Sequence, residues 1–355
     1  MNTQVSVPVT WLTEAAARLL SAAGLEASHA AVVAGSLVEA DMRGVSSHGV
    51  LLVPMYVERL RAGSVSPRTE AELVADSGPL ALLDGGNMLG QLSGDQAMSL
   101  AIEKAGEHGL GAVLVRHAFH FGGAFRYVQQ AAEAGFIGIA AANTRPLMPA
   151  PGGAAAVVGN NPIAFGVPFA GGEPLVLDMA LSEVSLGKIR LAAQEGREIP
   201  ATWATDADGV ATTDAEAAIE GLLLPAGAHK GYGLALVVDI LTGVLSGGGY
   251  GSHVKGLYAD TSVPNDCAHA FLAIDVAAFG DGDGFADRVA DLAGQVTDSP
   301  RAPGVDRVLL PGQLEAERFA AAQVAGVPVE ASVLDRLQAT ALELDVVLAE
   351  TETIA

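Results

Sequence analysis

Short apolar segments alternate with amphipathic helices through the centre of the chain, and this alternation restricts the fold more than any other feature of the sequence. Residues 81–84, 112–115 and 136–143 have the length and composition of buried strands. Helices are predicted between them over 95–108 and 125–134. The pattern indicates a sheet covered by helices, which is an α+β arrangement.

Helices are also predicted on both sides of this segment. Apolar residues recur at helical spacing over 11–23, 33–40 and 53–62, and each run is followed by a glycine. Further strands are predicted at 163–169, 175–177 and 270–276, and further helices near 184–194, over 232–245 and towards the carboxyl end. The chain has 355 residues, which favours two interleaved domains over one, and we expect the two helical ends to pack together around the middle.

The charge balance excludes several classes of partner. The chain has 19 Lys and Arg residues against 41 Asp and Glu residues, a formal net charge of -22. Such a protein repels phosphate backbones and anionic lipid surfaces, so nucleic acid and membranes are not expected as partners. An anionic ligand would need local donors, such as helix amino ends or a placed Lys or Arg.

The sequence indicates a cytoplasmic protein. Cys267 is the single cysteine, so neither an internal disulfide nor a cysteine metal cluster is possible. The amino terminus lacks the pattern of a secretory signal, and the apolar run at 232–245 contains Asp239 and is too short to span a bilayer.

No dinucleotide fingerprint of the type G-x-G-x-x-G stands between a predicted strand and helix, so a Rossmann fold is not predicted. Glycines cluster at 85–86, 152–153 and 247–251. Each cluster alone is more typical of a turn than of a phosphate-binding loop.

Three histidines lie in polar loops between predicted elements: His48 in SSHG, and His117 and His120 in RHAFHFGG. An isolated histidine of this kind is usually a packed or capping residue, but two such loops in one chain favour a reactive site. The spacing of His117 and His120 leaves metal binding as a minor alternative, because no acidic residue follows closely.

Two charged residues also stand next to predicted elements. Asp178 follows an apolar strand, where it could orient an imidazole or simply cap a turn. Lys230 lies at the start of the helix predicted over 232–245, where it could face an anion together with the free amides of the helix or remain a solvated cation.

A series of motifs resembles the malate/L-lactate dehydrogenase family over nearly the whole chain. In chain order these motifs are ADMRGVSSHGV, VPMYVERL, VRHAFHFGG, NTRPLMPAPGG, GNNPIAFGVPF, LVLDMALSEVSLGKI, IPATWATDADG, HKGYGLALVVDIL and VLLPGQ. Many ordered matches are far more specific than any one of them.

The resemblance implies a homodimer with a mixed or antiparallel sheet in a cofactor domain unrelated to the Rossmann fold. On this basis we predict a cofactor domain over 111–289 and a mainly helical substrate and dimerisation part from 1–110 with 290–355. The resemblance also implies NADH- or NADPH-dependent reduction of 2-oxo acids, diketo sugar acids or cyclic imino acids, or the reverse oxidation. The protein then has to hold the substrate carbon near the nicotinamide and to supply a proton.

The same resemblance assigns site residues. The proton donor falls on His48 in members with the SHG motif and on His120 in others, and we favour His48. Ser47 and Asp178 match residues that orient or polarise the site. The positions matched to cofactor binding are His120, Thr144, Asp178, Met179, Ala180, Leu181, Lys230, Gly231, Pro311, Gly312 and Gln313.

Four positions depart from the family pattern and bear on the substrate. Leu52 stands where the family usually has an arginine that grips the substrate carboxylate, and Leu181 and Ala118 replace polar residues. We therefore expect a drier pocket and a less acidic substrate than usual. Arg145 is uncommon at its position and could replace the lost anchor or form a surface salt bridge.

Three hypotheses follow. The first is an active reductase with an atypical 2-oxo acid, imine or related carbonyl substrate. The second is a family member that keeps the fold and works as a non-catalytic binding or assembly protein. The third is a metal-dependent hydrolase that uses His117 and His120. The presence of His48, His120, Asp178 and Lys230 favours the first.

Overall fold

Eleven strands occur in the part of the chain that the computed structural model describes, which is residues 4–170, 172–280, 282 and 284–350. They are β1 (Gln4–Val7), β2 (Glu72–Ser77), β3 (Leu80–Asp84), β4 (Leu110–Ala118), β5 (Phe136–Ala142), β6 (Met148–Pro149), β7 (Ala156–Val158), β8 (Ile163–Val167), β9 (Leu175–Met179), β10 (Cys267–Asp275) and β11 (Val327–Glu330).

The same residues form eleven α-helices. They are α1 (Val9–Ala22), α2 (Ala27–Met42), α3 (Val53–Ala62), α4 (Gly90–His108), α5 (Phe125–Glu133), α6 (Leu186–Gln194), α7 (Ala215–Ile219), α8 (His229–Asp239), α9 (Phe285–Thr297), α10 (Gln313–Ala325) and α11 (Ala331–Glu343). A π-helical segment over Ile240–Val244 continues α8. Within the described ranges, no helix is both long enough and apolar enough to cross a membrane.

A seven-stranded sheet forms the centre of the molecule, in the order β2-β3-β4-β10-β5-β8-β9. Among these strands β3 and β4 are parallel, and every other neighbouring pair is antiparallel. The sheet is therefore mixed, as predicted, and differs from the parallel doubly wound sheet of a Rossmann domain. The predicted α+β fold class is confirmed.

Helices α4 and α5 pack closely on this sheet because glycines face them. A Cβ at Gly111 in β4 would overlap the carbonyl oxygen of Ala101 in α4, and a Cβ at Gly138 in β5 would crowd Val128 and Ala131 in α5. Larger side chains at these glycines would push the helices away from the strands. The small residues therefore set the close spacing of α4 against β4 and of α5 against β5.

The two ends of the chain meet, as expected. Strand β1 pairs with β11 in an antiparallel ribbon, with Val5 opposite Val329. The indole nitrogen of Trp11 donates a hydrogen bond to the carbonyl of Ala349 at 3.0 Å. The terminal helices thus complete the core that α1, α2 and α3 begin.

Several elements differ from the sequence prediction. Strands β1, β2 and β11 were not predicted, and β2 is an edge strand whose six residues are all exposed, so it lacks the alternation that marks a half-buried strand. The helix predicted over 232–245 begins earlier, at His229.

The predicted division at residue 110 stays a prediction, and the sheet extends across it. Strands β2 and β3 precede residue 110, yet β3 pairs directly with β4. The main core contains residues from both ends of the chain and from the sheet. A second, smaller core lies within 141–238, around Leu181, Ile189 and Leu223.

Candidate active site

A buried aspartate shapes the loop that carries His48. Two single 3-10 turns, Ser46–His48 and Val50–Leu52, join α2 to α3. The carboxylate of Asp41 accepts a hydrogen bond from the Val50 amide at 2.8 Å, and a Cβ at Gly49 would overlap this carboxylate. Burial raises the pKa of Asp41 to about 7. The SHG motif therefore needs its glycine for close contact with Asp41.

His120 lies in the loop after β4, which is held against the start of α4. The Phe119 amide donates to the carbonyl of Met88 at 3.1 Å, and the Gly90 amide donates to the carbonyl of His120 at 3.2 Å. A Cβ at Gly90 would overlap the Phe119 carbonyl. The loop is thus tied by its backbone on both sides of Phe119.

The structure brings His48 and His120 together. Their rings stack with centroids 5.3 Å apart and planes inclined by 29°. The hydroxyl of Ser47 lies 2.9 Å from Nδ1 of His48. Burial lowers the pKa of both imidazoles. The pKa of His120 is lowered further because His48 and His269 lie near it. Both residues keep partial solvent exposure, so a ligand can reach them.

Two polar residues behind His120 were not assigned a role from the sequence. The hydroxyl of Tyr56 lies 2.7 Å from Nδ1 of His120, and Nε2 of Gln91 donates to the same hydroxyl at 3.0 Å. Tyr56 and Gln91 are fully buried. The only signal for Tyr56 was its place in VPMYVERL, and the only signal for Asp41 was its place in ADMRGVSSHGV. Gln91 carried no signal.

Asp178 contacts the start of α5. Its carboxylate accepts a hydrogen bond from the Phe125 amide at 2.8 Å and another from the Ala124 amide. Protein around the carboxylate raises its pKa to about 6, although solvent reaches the residue. Asp178 thus caps the start of α5, and capping was one of the two roles that the sequence left open for it. The other role, orienting an imidazole, stays a prediction.

Three of the positions matched to cofactor binding are joined by a chain of side-chain and backbone contacts. The hydroxyl of Thr144 donates to the side chain of Asn160 at 3.0 Å, and the Leu181 amide donates to the carbonyl of Asn160 at 2.8 Å. The Leu181 carbonyl accepts from Ala226 at 3.0 Å, and Gly231 packs so closely on Ala226 that a Cβ would overlap its carbonyl.

The other matched positions lie at α8 and beside β9. Lys230 is exposed in the first turn of α8, where Ala228 supplies no side-chain cap and has a φ of 57°. Gly312, between Pro311 and Gln313, has a φ of 78° and packs on the backbone of Val176, two residues before Asp178. Met179 and Ala180 follow Asp178 and are half-buried.

The residues that depart from the family pattern lie in different environments. Leu52 is 2 % exposed and belongs to the main hydrophobic core, as does Ala118. Arg145 is exposed and lies against Gly256, and within the described residues its guanidinium has neither a hydrogen bond nor an ion pair. Burial lowers the pKa of Arg145, and the positive charge of Arg190 lowers it further. A surface salt bridge of Arg145 is therefore not observed.

His117 and His120 have different hydrogen-bond partners. Nδ1 of His117 lies 2.7 Å from the carboxylate of Asp266, and both of these residues have a left-handed φ, 48° and 56°. His120 pairs instead with Tyr56. In the described ranges no three His, Cys, Asp or Glu side chains are grouped so as to hold a metal ion.

Comparison with known proteins gives a consistent result. Residues 7–338 match the model of the family described as malate/L-lactate dehydrogenase. The chain is 37% identical over 350 residues to a malate dehydrogenase of Pyrococcus abyssi (strain GE5 / Orsay), covering 96% of each chain. It is 36% identical to the ureidoglycolate dehydrogenase (NAD(+)) of Escherichia coli (strain K12), covering 91% of this chain and 92% of that one.

Solved structures agree. The sulfolactate dehydrogenase of Methanocaldococcus jannaschii superposes with a TM-score of 0.91 at 33% identity. The match covers 97% of this chain and 98% of that one. Both the sequence and the arrangement of elements are therefore shared over almost the full length.

Proposed function

The chain belongs to the malate/L-lactate dehydrogenase family, and on that basis we propose that it reduces an atypical 2-oxo acid, cyclic imine or related carbonyl compound, or oxidises the corresponding product. It is a nicotinamide-dependent oxidoreductase of this family. A non-catalytic role is not favoured, because its relatives are named as dehydrogenases over nearly their whole length.

The observation that carries the proposal is the pair of stacked, partly accessible imidazoles at His48 and His120. A reaction that adds a hydride to carbon must also add a proton to the neighbouring oxygen or nitrogen. An imidazole whose pKa lies below its usual value is neutral near pH 7 and exchanges a proton readily. His48 has Nδ1 held by Ser47, which leaves Nε2 for the substrate.

The residues matched to cofactor binding suit a nicotinamide dinucleotide. The first turn of α8 lacks a side-chain cap and carries the exposed ammonium of Lys230, and such a turn is a favourable place for a phosphate. Thr144, the segment from Asp178 to Leu181 and the segment from Pro311 to Gln313 would hold the rest. In a protein with a net charge of -22, these local donors offset the unfavourable overall field.

His48 and Ser47 have separate roles in the proposed reaction. When bound, the nicotinamide group donates a hydride to the substrate carbon. His48 gives a proton to the oxygen or nitrogen that becomes negative, and Ser47 holds the ring in position. The product gains one hydride and one proton, and His48 regains its proton from solvent. In the oxidative direction His48 accepts the proton.

Arg145 is the proposed anchor for an anionic group of the substrate. Leu52 is part of the hydrophobic core, so the usual anchor position cannot pair with a carboxylate. The Arg145 guanidinium has no acidic partner in the described structure, and Arg190 adds a second positive charge close to it. An anion would satisfy both groups, and this supports a substrate that keeps a carboxylate.

We also propose that the protein is a homodimer. Leu234, Val237, Leu241 and Val244 recur at helical spacing on α8 and its π-helical continuation, and each is between 42% and 49% exposed. We call these four residues the α8 stripe. A continuous exposed apolar stripe is typical of an interface between subunits.

Two experiments test the proposal together. Oxo acids and cyclic imines are screened with NADH and with NADPH, and loss of nicotinamide absorbance is measured. Calorimetry measures the affinity for each cofactor. We expect binding of at least one cofactor and turnover of at least one substrate. Binding of neither cofactor at millimolar concentration would refute the oxidoreductase proposal.

A further inference from the structure

The hydroxyl of Tyr56 lies between an amide donor and an imidazole, and all three belong to different elements. Gln91, in the first turn of α4, donates from Nε2 to the Tyr56 hydroxyl at 3.0 Å. Tyr56, in α3, lies 2.7 Å from Nδ1 of His120. The Phe119 ring packs edge-on against Tyr56, with centroids 5.3 Å apart. Rotation of the phenol away from His120 is thus restricted.

A phenol has one hydrogen, and the position of that hydrogen decides the state of His120. Because Gln91 donates to the phenolic oxygen, the phenolic hydrogen is free to bond to Nδ1 of His120. Nδ1 is then an acceptor, and a neutral ring must carry its proton on Nε2. The ring on its other side keeps partial solvent exposure and stacks on His48.

A protonated His120 does not fit this arrangement. In an imidazolium, Nδ1 of His120 would present a hydrogen to the Tyr56 hydroxyl, as Nε2 of Gln91 already does, and neither could accept the phenolic hydrogen. Burial also lowers the pKa of His120 well below its usual value, and the neighbouring His48 and His269 lower it further. Both the hydrogen-bond arrangement and the lowered pKa therefore favour the neutral form of His120.

We propose that Tyr56 and Gln91 are positioning residues that hold His120 in the neutral form with its proton on Nε2. His120 then donates a fixed hydrogen bond to the reacting oxygen or nitrogen of the substrate, and His48 exchanges the proton. The assignment to substrate rests on the proposed function, whereas the state of the ring does not.

The direction of these hydrogen bonds suggests a substitution that should move the proton of His120 from Nε2 to Nδ1. An ionised glutamate at position 91 can only accept, so at a pH that ionises it in Gln91→Glu the phenolic hydrogen turns to the carboxylate and Nδ1 of His120 must carry a proton. Tyr56→Phe removes the partner of Nδ1 and leaves both neutral forms accessible. Tyr127→Phe is the matched control, because Tyr127 is equally buried and donates to the Phe121 carbonyl rather than to a histidine.

The first measurement is nitrogen NMR of the full-length protein labelled at histidine, with His120→Asn to identify the signals of His120. We expect a protonated Nε2 and an unprotonated Nδ1 in the unmodified protein and in Tyr127→Phe. We expect the reverse, or an imidazolium, in Gln91→Glu, and averaged signals in Tyr56→Phe. An unmodified protein with its proton on Nδ1, or a Tyr56→Phe spectrum identical to it, overturns the proposal without reference to activity.

The second measurement is steady-state kinetics with the substrate found in the screen. Loss of one hydrogen bond in Tyr56→Phe should lower kcat about 3- to 10-fold with little change in the KM of the cofactor. Gln91→Glu should lower kcat more, since a histidine in the wrong tautomer can cost up to about 10⁴-fold. A changed tautomer with unchanged kcat overturns the role of His120 towards the substrate. Absence of any substrate refutes the proposed function and leaves the NMR result to decide the state of the ring.

Discussion

At the scale of single residues, His48 and His120 differ in what holds their Nδ1 atoms. Ser47, which is exposed, lies beside Nδ1 of His48, and Tyr56, which is fully buried, lies beside Nδ1 of His120. A ring next to an exposed hydroxyl can change its protonation state more easily than one enclosed by a buried network. This difference is the structural reason for assigning proton exchange to His48.

The first prediction concerns that assignment. His48→Ala should lower kcat by about two to four decades, because general acid catalysis contributes that much, and should leave cofactor affinity unchanged. Stopped-flow or steady-state rates and calorimetry check the two parts. His120→Ala is the comparison. A fully active His48→Ala protein together with an inactive His120→Ala protein would reverse the assignment.

The second prediction is the pH dependence of the two directions. If His48 is the proton donor, as proposed, reduction needs protonated His48, so kcat/KM for reduction should fall as pH rises through the pKa of His48. The kcat/KM for oxidation should rise through the same pKa. Since burial lowers that pKa, both inflections should lie below 6.5. The profiles are measured with a substrate that does not titrate in this range. An inflection above 6.5 contradicts the assignment.

The third prediction concerns the substrate anchor. Arg145→Ala should raise KM for an anionic substrate about 10- to 100-fold, because a hydrogen bond to a charged group is worth about 1.5–3 kcal/mol. Arg197→Ala is the control, since Arg197 is exposed and pairs with Glu195. Equal KM values for both variants would show that the substrate carries no anion at Arg145.

At the scale of elements, the loop between α2 and α3 depends on the Asp41 carboxylate. Its pKa in the folded protein is about 7, above the ordinary value of 3.8, so the fold favours the protonated form. Stability from this group is complete below about pH 4 and is lost as pH rises through about 7. In neutral solution the Asp41 carboxylate, which accepts from the Val50 amide, is therefore partly ionised, and this buried charge lowers the stability of the fold.

The fourth prediction follows from this pKa. Relative to Asp41→Asn, the free energy of unfolding of the unmodified protein should decrease by a few kcal/mol between pH 4 and pH 8. Urea unfolding at several pH values measures the difference. Asp208→Asn, in an exposed loop, is the control. A difference that stays constant with pH would show that Asp41 is ionised throughout.

The spacing of apolar residues in the sequence predicted the elements that have a buried apolar face and end at a residue such as glycine. The helix predicted over 53–62 is α3, and it ends at Gly63, whose φ is 78°. Strands β1 and β11 escaped prediction because a pairing partner far away in the chain, and not their own periodicity, makes each a strand. Strand β2 forms a hairpin with the adjacent β3, and it escaped prediction because its exposed residues show no alternation. Propensity is a weak guide for such edge segments.

The site was predictable only in part for the same reason. The motifs placed His48 and His120 in loops, and the resemblance gave both a role. Their stacking, and the Tyr56 and Gln91 network behind His120, depend on how α3 and α4 pack, which no short motif contains. Asp178 shows the limit most directly, because its observed partner is an amide 53 residues away in the chain.

At the scale of the whole molecule, the α8 stripe and the net charge of -22 act in opposite directions. Two like-charged protomers repel, and salt screens that repulsion. Burial of apolar surface is little affected by moderate salt, so association should strengthen as ionic strength rises.

The fifth prediction is a homodimer that depends on the stripe. Sedimentation should give twice the chain mass of 35.9 kDa for the unmodified protein and a monomer for Leu241→Glu, because a buried unpaired carboxylate is costly. Val324→Glu is the control, since Val324 is 87% exposed on α10 outside the stripe. A Leu241→Glu dimer as stable as the control would show that another surface joins the subunits.

The ribbon of β1 and β11 has a consequence for synthesis on the ribosome. Ser6 and Ala325, which are hydrogen-bonded to each other, are 319 residues apart in the chain. At about 5–20 residues per second, roughly 15–60 s separate the emergence of the first strand from that of its partner. Throughout that interval the apolar face of α1 lacks the carboxyl-terminal segments that cover it. Nascent chains should therefore bind chaperones until the last helices leave the exit tunnel.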